Sequence, residues 1–108
     1  MRSRTFRQRV LITLLPLASI LAAAAPAEAG DVWSRLRQCE SGSRYARNTG
    51  NGYYGAYQFK PSTWRSLGYR GLPHRASPAV QDRAARRLQA RHGWGQWPAC
   101  SRRLGLRR

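Results

Sequence analysis

The sequence predicts a small α+β domain, mostly helical, with one short hairpin and one disulfide. Three observations point there. Two stretches carry capped, amphipathic helix patterns, a glycine- and tyrosine-rich segment between them carries a turn signal, and Cys39 and Cys100 bracket most of the chain beyond the first thirty residues.

At the N-terminus, Arg2, Arg4, Arg7 and Arg9 precede an apolar run from Val10 to Ala25, followed by small residues at Ala27 and Ala29. This is the pattern of a secretory signal peptide over residues 1–29, cleaved before Gly30. An uncleaved anchor is the alternative, but the run falls short of the ~20 residues a spanning helix needs, and Pro16 and Ser19 interrupt it. Residues 30–108 are then expected to form one secreted domain, localised extracellularly at the cell wall, monomeric and without stable membrane insertion. A domain of this size buries only about 60% of its unfolded surface and usually needs a staple. In an oxidising compartment two thiols are most often paired, although two separate thiols remain the alternative on this ground alone. No CxxC or Cys/His spacing suggests a metal, and no cofactor is expected.

Asp31 suits the N-cap of a helix from Val32 to about Ser41, and Gly42 suits its left-handed stop. At 100° per residue, Cys39, Val32, Leu36, Glu40 and Trp33 fall in that order on one arc, so Glu40 lies on the buried side between Leu36 and Trp33. In RNTGNGYYGAYQF, residues 47–59, Asn51-Gly52 is a two-residue turn signal, and Tyr53, Tyr54, Tyr57 and Phe59 favour extended chain, which predicts a short irregular hairpin or a glycine-rich loop. Pro61 can open a short helix carrying Trp64 and Leu67, stopped at Gly68. After a connecting loop over 69–76, Ser77-Pro78 opens the best helix signal, with Val80, Ala84 and Leu88 inward and Gly93 beyond its end. On that helix Asp82 points about 200° from Val80 toward Arg86, which reads as a solvated surface pair. The tail GWGQWPAC returns Cys100 to Cys39, and SRRLGLRR beyond it reads as a frayed end.

The chemical inventory is narrow. No Ser/His/Asp order is convincing, no glycine loop ends in GK[ST], and His74 and His92 lack ligand partners. Glu40 is the one glutamate after Glu28. A carboxyl among apolar neighbours is held neutral to higher pH, as a general acid acting on a leaving oxygen requires. Glycosidases usually pair two carboxyl groups about 5 to 9.5 Å apart. Asp31 sits at the other end of the same helix, roughly 13 Å away by helical rise, and Asp82 is read as outward-facing. A mechanism with one carboxyl group follows, with water or a sugar hydroxyl as nucleophile. Tyr53, Tyr57, Trp64, Trp94 and Trp97 are candidates to lie against sugar faces, with at least two of the tryptophans needed in the core. Gln58, Asn48 and Thr49 are candidate hydrogen-bonding groups, the last two equally able to shape the turn.

The full chain has 20 Lys and Arg against four Asp and Glu; removing Arg2, Arg4, Arg7, Arg9 and Glu28 leaves 16 against three, a net +13. Anionic partners are expected, with coding bias as the alternative because fifteen of those sixteen cations are Arg. The arginines are dispersed, which argues against a dedicated nucleic-acid arm.

VWSRLRQCESGSRYARNTGNGYYGAYQFKPSTW together with GWGQWPAC closely resembles the catalytic domain of the resuscitation-promoting factors, a transglycosylase-like group with a lysozyme-like fold. The resemblance runs from Val32 to about Leu106. It implies a lysozyme-like, lytic-transglycosylase-like fold, a Cys39–Cys100 disulfide, Glu40 as catalytic acid, and Thr49, Tyr53, Gln58, Thr63 and Trp64 along the cleft. It further implies peptidoglycan as substrate, cut between N-acetylmuramic acid and N-acetylglucosamine, with a peptidoglycan endopeptidase as partner and regrowth of dormant cells as the outcome. Lys60 departs from the family pattern, in which Asp or a small polar residue commonly follows the QF pair. A cation there would lower the pKa of Glu40, bind a stem-peptide carboxylate, or face solvent. Tyr57 is a second departure, in packing. Two other function classes fit the charge: a cationic module that binds peptidoglycan without cutting it, and a membrane-disrupting protein.

Overall fold

The computed structural model describes residues 31–107. The expected signal peptide and its cleavage site lie outside the described residues. No helix among the described residues is long and apolar enough to cross a membrane.

Helix α1 spans Val32–Ser41 between the caps expected for it. The Asp31 side chain accepts from the Trp33 N–H at 3.2 Å. Gly42 adopts φ 70, and its N–H and that of Ser43 close on the Gln38 and Arg37 carbonyls. Leu36 is fully buried, while Val32, Trp33, Cys39 and Glu40 are half-buried beside it, as the helical phase requires.

The segment over 47–59 forms an irregular hairpin held by two isolated antiparallel bridges, Asn48 with Tyr54 and Tyr54 with Phe59. Asn51-Gly52 does not make a two-residue hairpin turn. It lies within a loop over 49–53, where the Asn51 Oδ1 accepts from the Tyr53 N–H at 3.0 Å. The tight reversal comes later, where Tyr54 and Phe59 exchange both backbone hydrogen bonds around residues 55–58. A β-carbon on Gly55, at φ 83, would collide with Gln81 Oε1. That closeness lets a later helix, over Pro78–His92, clamp the turn: buried Gln81 accepts from the Ala56 N–H and donates to the Tyr45 and Ala76 carbonyls.

Helix α2 spans Pro61–Ser66 and buries Trp64, which stacks on Tyr69 and donates from Nε1 to the Arg70 carbonyl. A 3₁₀ turn over Pro73–Arg75 leads into α3, Pro78–His92, capped by the Ser77 hydroxyl on the Val80 N–H. Ala84 and Leu88 are buried and Val80 packs against the core, as expected; Gln81 and Ala85 widen the inner face.

Two further expectations are corrected. Asp82 does not pair with Arg86. It accepts from the Tyr57 and Tyr45 hydroxyls at 2.6 and 2.8 Å and lies 3.5 Å from Arg37, while Arg86 sits over the Trp33 ring. Three donors on other elements draw Asp82 inward and outweigh a single surface cation one turn away. Nor is the tail simply frayed. After a 3₁₀ turn over Trp94–Gln96, helix α4 spans Pro98–Arg103, and Gly105 at φ 71 turns the chain so that the Leu106 N–H closes on the Ser101 carbonyl at 2.8 Å. The Cys39–Cys100 disulfide, with 5.9 Å between α-carbons, fastens α1 to α4. The result is the mostly helical α+β domain expected, with its core formed by Leu36, Tyr57, Phe59, Trp64, Leu88 and Trp97.

Candidate active site

Glu40 occupies the last turn of α1, one residue from the disulfide. The bridge brings the start of α4 beside it, and the hairpin and α2 supply the remaining wall. Between them lies a cleft of about 490 Å³, lined by Glu40 from α1, by Asn51, Tyr53, Gln58, Phe59 and Lys60 from the hairpin, and by Thr63 from α2. Leu88 of α3 and the run from Gly95 to Ala99 complete it.

Within this cleft Glu40 is half-buried, and burial pushes its carboxyl up to about 7. Desolvation is the whole cause. Among the described residues its carboxylate has no hydrogen-bond donor and no ion-pair partner, so nothing offsets the cost of removing charge from water. Lys60 lines the same cleft and is exposed, but it does not lower Glu40. Among the described residues no second carboxylate lines the cleft: Asp31 caps the opposite end of α1 and Asp82 is held by Arg37, Tyr45 and Tyr57. Among the described residues no cluster of His, Cys, Asp and Glu is arranged to hold a metal.

The structure brings together four of the six residues expected to catalyse or bind. Glu40, Tyr53, Gln58 and Thr63 share the cleft, whereas Thr49 lies exposed in the 49–53 loop and Trp64 is 1% exposed in the core. With no face open, Trp64 supports the wall from behind, its ring 5.1 Å from that of cleft-lining Phe59. Tyr57 is fully buried too, and Asn48 spends its Oδ1 on the Gly50 N–H. Tyr53, by contrast, is 41% exposed, an aromatic surface of the kind that lies against a sugar ring. Gln58 holds φ 53, a left-handed conformation costly for a residue with a β-carbon, and its Nε2 donates to the Gly55 carbonyl at 3.1 Å.

Asn51, Leu88, Gln96, Pro98 and Ala99 were not singled out from sequence. One signal was present for the last three: a bridge from Cys39 to Cys100 must carry the residues just before Cys100 toward Glu40. Trp97 closes the base of the cleft, 3% exposed, with Nε1 donating to the Tyr57 carbonyl at 3.0 Å. Trp94 packs against Trp33 in a tilted arrangement, their centroids 4.9 Å apart.

Comparison with known proteins bears on this arrangement. The profile of the transglycosylase-like domain matches residues 27–100. Resuscitation-promoting factor RpfC of Mycobacterium tuberculosis is 45% identical over 85% of this chain and 67% of its own length. This chain belongs to the resuscitation-promoting factor family. The family's Rpf of Micrococcus luteus is 51% identical over 76% of this chain, and Rpf1 of Corynebacterium glutamicum is 47% identical over 82%. The chain spans 38% and 48% of the length of those two relatives.

Proposed function

We propose that this chain is a secreted enzyme that cleaves the β-1,4 bond between N-acetylmuramic acid and N-acetylglucosamine in peptidoglycan, with Glu40 as its single acid and base. The observation that carries the reading is a lone carboxyl, raised to about 7 by burial alone, inside a cleft walled by an exposed tyrosine and by amide and hydroxyl side chains. Membership of a transglycosylase-like family supports it.

In this reading a glycan strand lies along Tyr53, with Gln58, Thr63 and Asn51 within reach of its polar groups. Neutral Glu40 gives its proton to the bridging oxygen as the bond from that oxygen to the muramyl C1 breaks. The positive character at C1 is then quenched by an oxygen nucleophile whose proton returns to the Glu40 carboxylate. Water gives hydrolysis; the sugar's own hydroxyl gives an anhydro end. The low-dielectric setting that raises Glu40 also makes its ionised form a better base, so both half-reactions use one environment.

The remaining parts of the proposal are a signal peptide over 1–29, action as a monomer at the cell wall, cooperation with a peptidoglycan endopeptidase, and promotion of regrowth, the property for which the relatives are named. Mass spectrometry of fragments released from purified cell wall tests the core claim. Wild type should release muropeptides with reducing or anhydro ends, and Glu40→Gln should release none while still sedimenting with the wall. Release undiminished by Glu40→Gln would sink the mechanism. The excess of arginine favours a second reading, a binding module without chemistry, for which wild type itself would release nothing.

A further inference from the structure

A second, shallower groove of about 380 Å³ adjoins the cleft, lined by Gly95, Pro98, Ser101, Arg102, Leu106 and Arg107. We propose that it holds a carboxylate-bearing peptide stem attached to the glycan strand in the Glu40 cleft, an inference that rests on the glycan-cleaving reading of that cleft. Gly95 and Pro98 line both depressions, so a branched polymer in one has a continuous surface into the other. Peptidoglycan is such a polymer, with a short peptide on each muramyl lactyl group.

The groove is built by folded chain. Helix α4 presents Ser101 and Arg102, and the turn at Gly105 folds Leu106 and Arg107 back beside them, secured by Gly105 N–H to the Arg102 carbonyl and Leu106 N–H to the Ser101 carbonyl. Its chemistry has two parts. Pro98 and half-buried Leu106 offer apolar surface suited to short aliphatic side chains. Arg102 and Arg107 offer exposed guanidinium groups, which match a carboxylate in shape as well as charge. Among the described residues neither arginine has an ion-pair partner, and the three described carboxylates lie elsewhere: Asp31 at a helix cap, Asp82 beside Arg37, and Glu40 in the cleft. A small peptide with free carboxylates meets both parts at once.

The test compares three probes: glycan strands bearing tetrapeptide stems, the same strands stripped by an amidase, and stem-bearing strands whose carboxylates have been chemically amidated. Wild type should prefer the first by kcat/KM, and amidation should remove the preference. Arg102→Gln/Arg107→Gln should reduce the ratio of stem-bearing to stripped strands by about tenfold, the effect of losing charge-assisted hydrogen bonds. Arg83→Gln/Arg91→Gln, exposed residues of α3 outside both depressions, removes the same charge and should leave the ratio as it was. An unchanged ratio in the first variant, an equal fall in the second, or indifference to amidation overturns the proposal, an equal fall pointing to diffuse attraction of an anionic polymer and indifference to recognition that does not involve the carboxylates. A binding arm separates this from failure of the catalytic reading. Free N-acetylmuramyl tetrapeptide should bind the Glu40→Gln protein, and bind it more weakly when Arg102→Gln/Arg107→Gln is added; binding unaffected by that addition refutes the groove even where cleavage behaves as expected.

Discussion

Glu40 and Asp82 are both half-buried carboxylates on helices, yet their surroundings are opposite. Asp82 receives two tyrosine hydroxyls and faces Arg37, an arrangement that joins α3 to α1 and to the 55–58 turn. Burial, reinforced by the bond to Asp82, raises Tyr57 so that its hydroxyl stays a donor. Glu40 receives no donor among the described residues and is raised to about 7. Partial burial therefore does not by itself decide what a carboxyl group does. Provided with donors, it is a fixed charge that holds elements together; without them, it keeps its proton to higher pH, as the proposed role of Glu40 requires.

The sharpest way to break this comparison is to remove each group in turn. Glu40→Gln should lower glycan cleavage by roughly 10²–10⁴, the usual worth of a positioned acid–base group, as measured by release of soluble muropeptides, without loss of the folded state. Next in size is the response to pH. With Glu40 raised to about 7, kcat/KM for strand cleavage should fall by about tenfold per unit at pH above that value, as the acid form disappears. Stability should follow the same group. Between 4.5, its ordinary value, and about 7 the folded state keeps a proton that the unfolded chain has lost, so stability declines as pH rises through this window and levels off beyond it. In Glu40→Gln that decline should vanish, so the variant melts higher than wild type at pH 8; an identical pH dependence of melting in both proteins would dissociate Glu40 from the effect.

Asp82→Ala should show the reverse profile. Losing both tyrosine bonds and leaving Arg37 without its partner should cost about 2 kcal/mol, read by urea denaturation, with cleavage largely preserved well below the melting temperature. If instead it abolished cleavage in a fully folded protein, the division between the two carboxylates would be wrong. The smallest effect is expected at Tyr53. Tyr53→Ala should raise KM several-fold, corresponding to about 1 kcal/mol of lost stacking, and Tyr53→Phe should restore most of it.

Much of this site was legible before any coordinates. The burial of Glu40 follows from its angular position between Leu36 and Trp33, and the caps at Asp31, Gly42 and Ser77 set the helix limits that make the phase reliable. The same reasoning failed for Asp82, correctly placed away from Val80 but wrongly left in solvent, because Tyr45 and Tyr57 reach it from 37 and 25 residues away. Gln81 escaped notice for a similar reason: nothing in its neighbourhood announces that an amide on an amphipathic helix will satisfy three backbone groups of other elements. Among the aromatics, composition announced that some must be core and some exposed, but not that Trp64 would be hidden and Tyr53 left open.

From the sequence alone came helices α1, α2 and α3 and the apolar setting of one glutamate. These are local properties, set by a 100° step per residue, by caps, and by the scarcity of acids in a chain rich in arginine. Tertiary structure alone decided which side chains reach the cleft, which carboxylate acquires donors, and how the chain beyond Cys100 folds into a second groove. Those outcomes depend on contacts between segments far apart along the chain, where packing selects partners that no local pattern encodes.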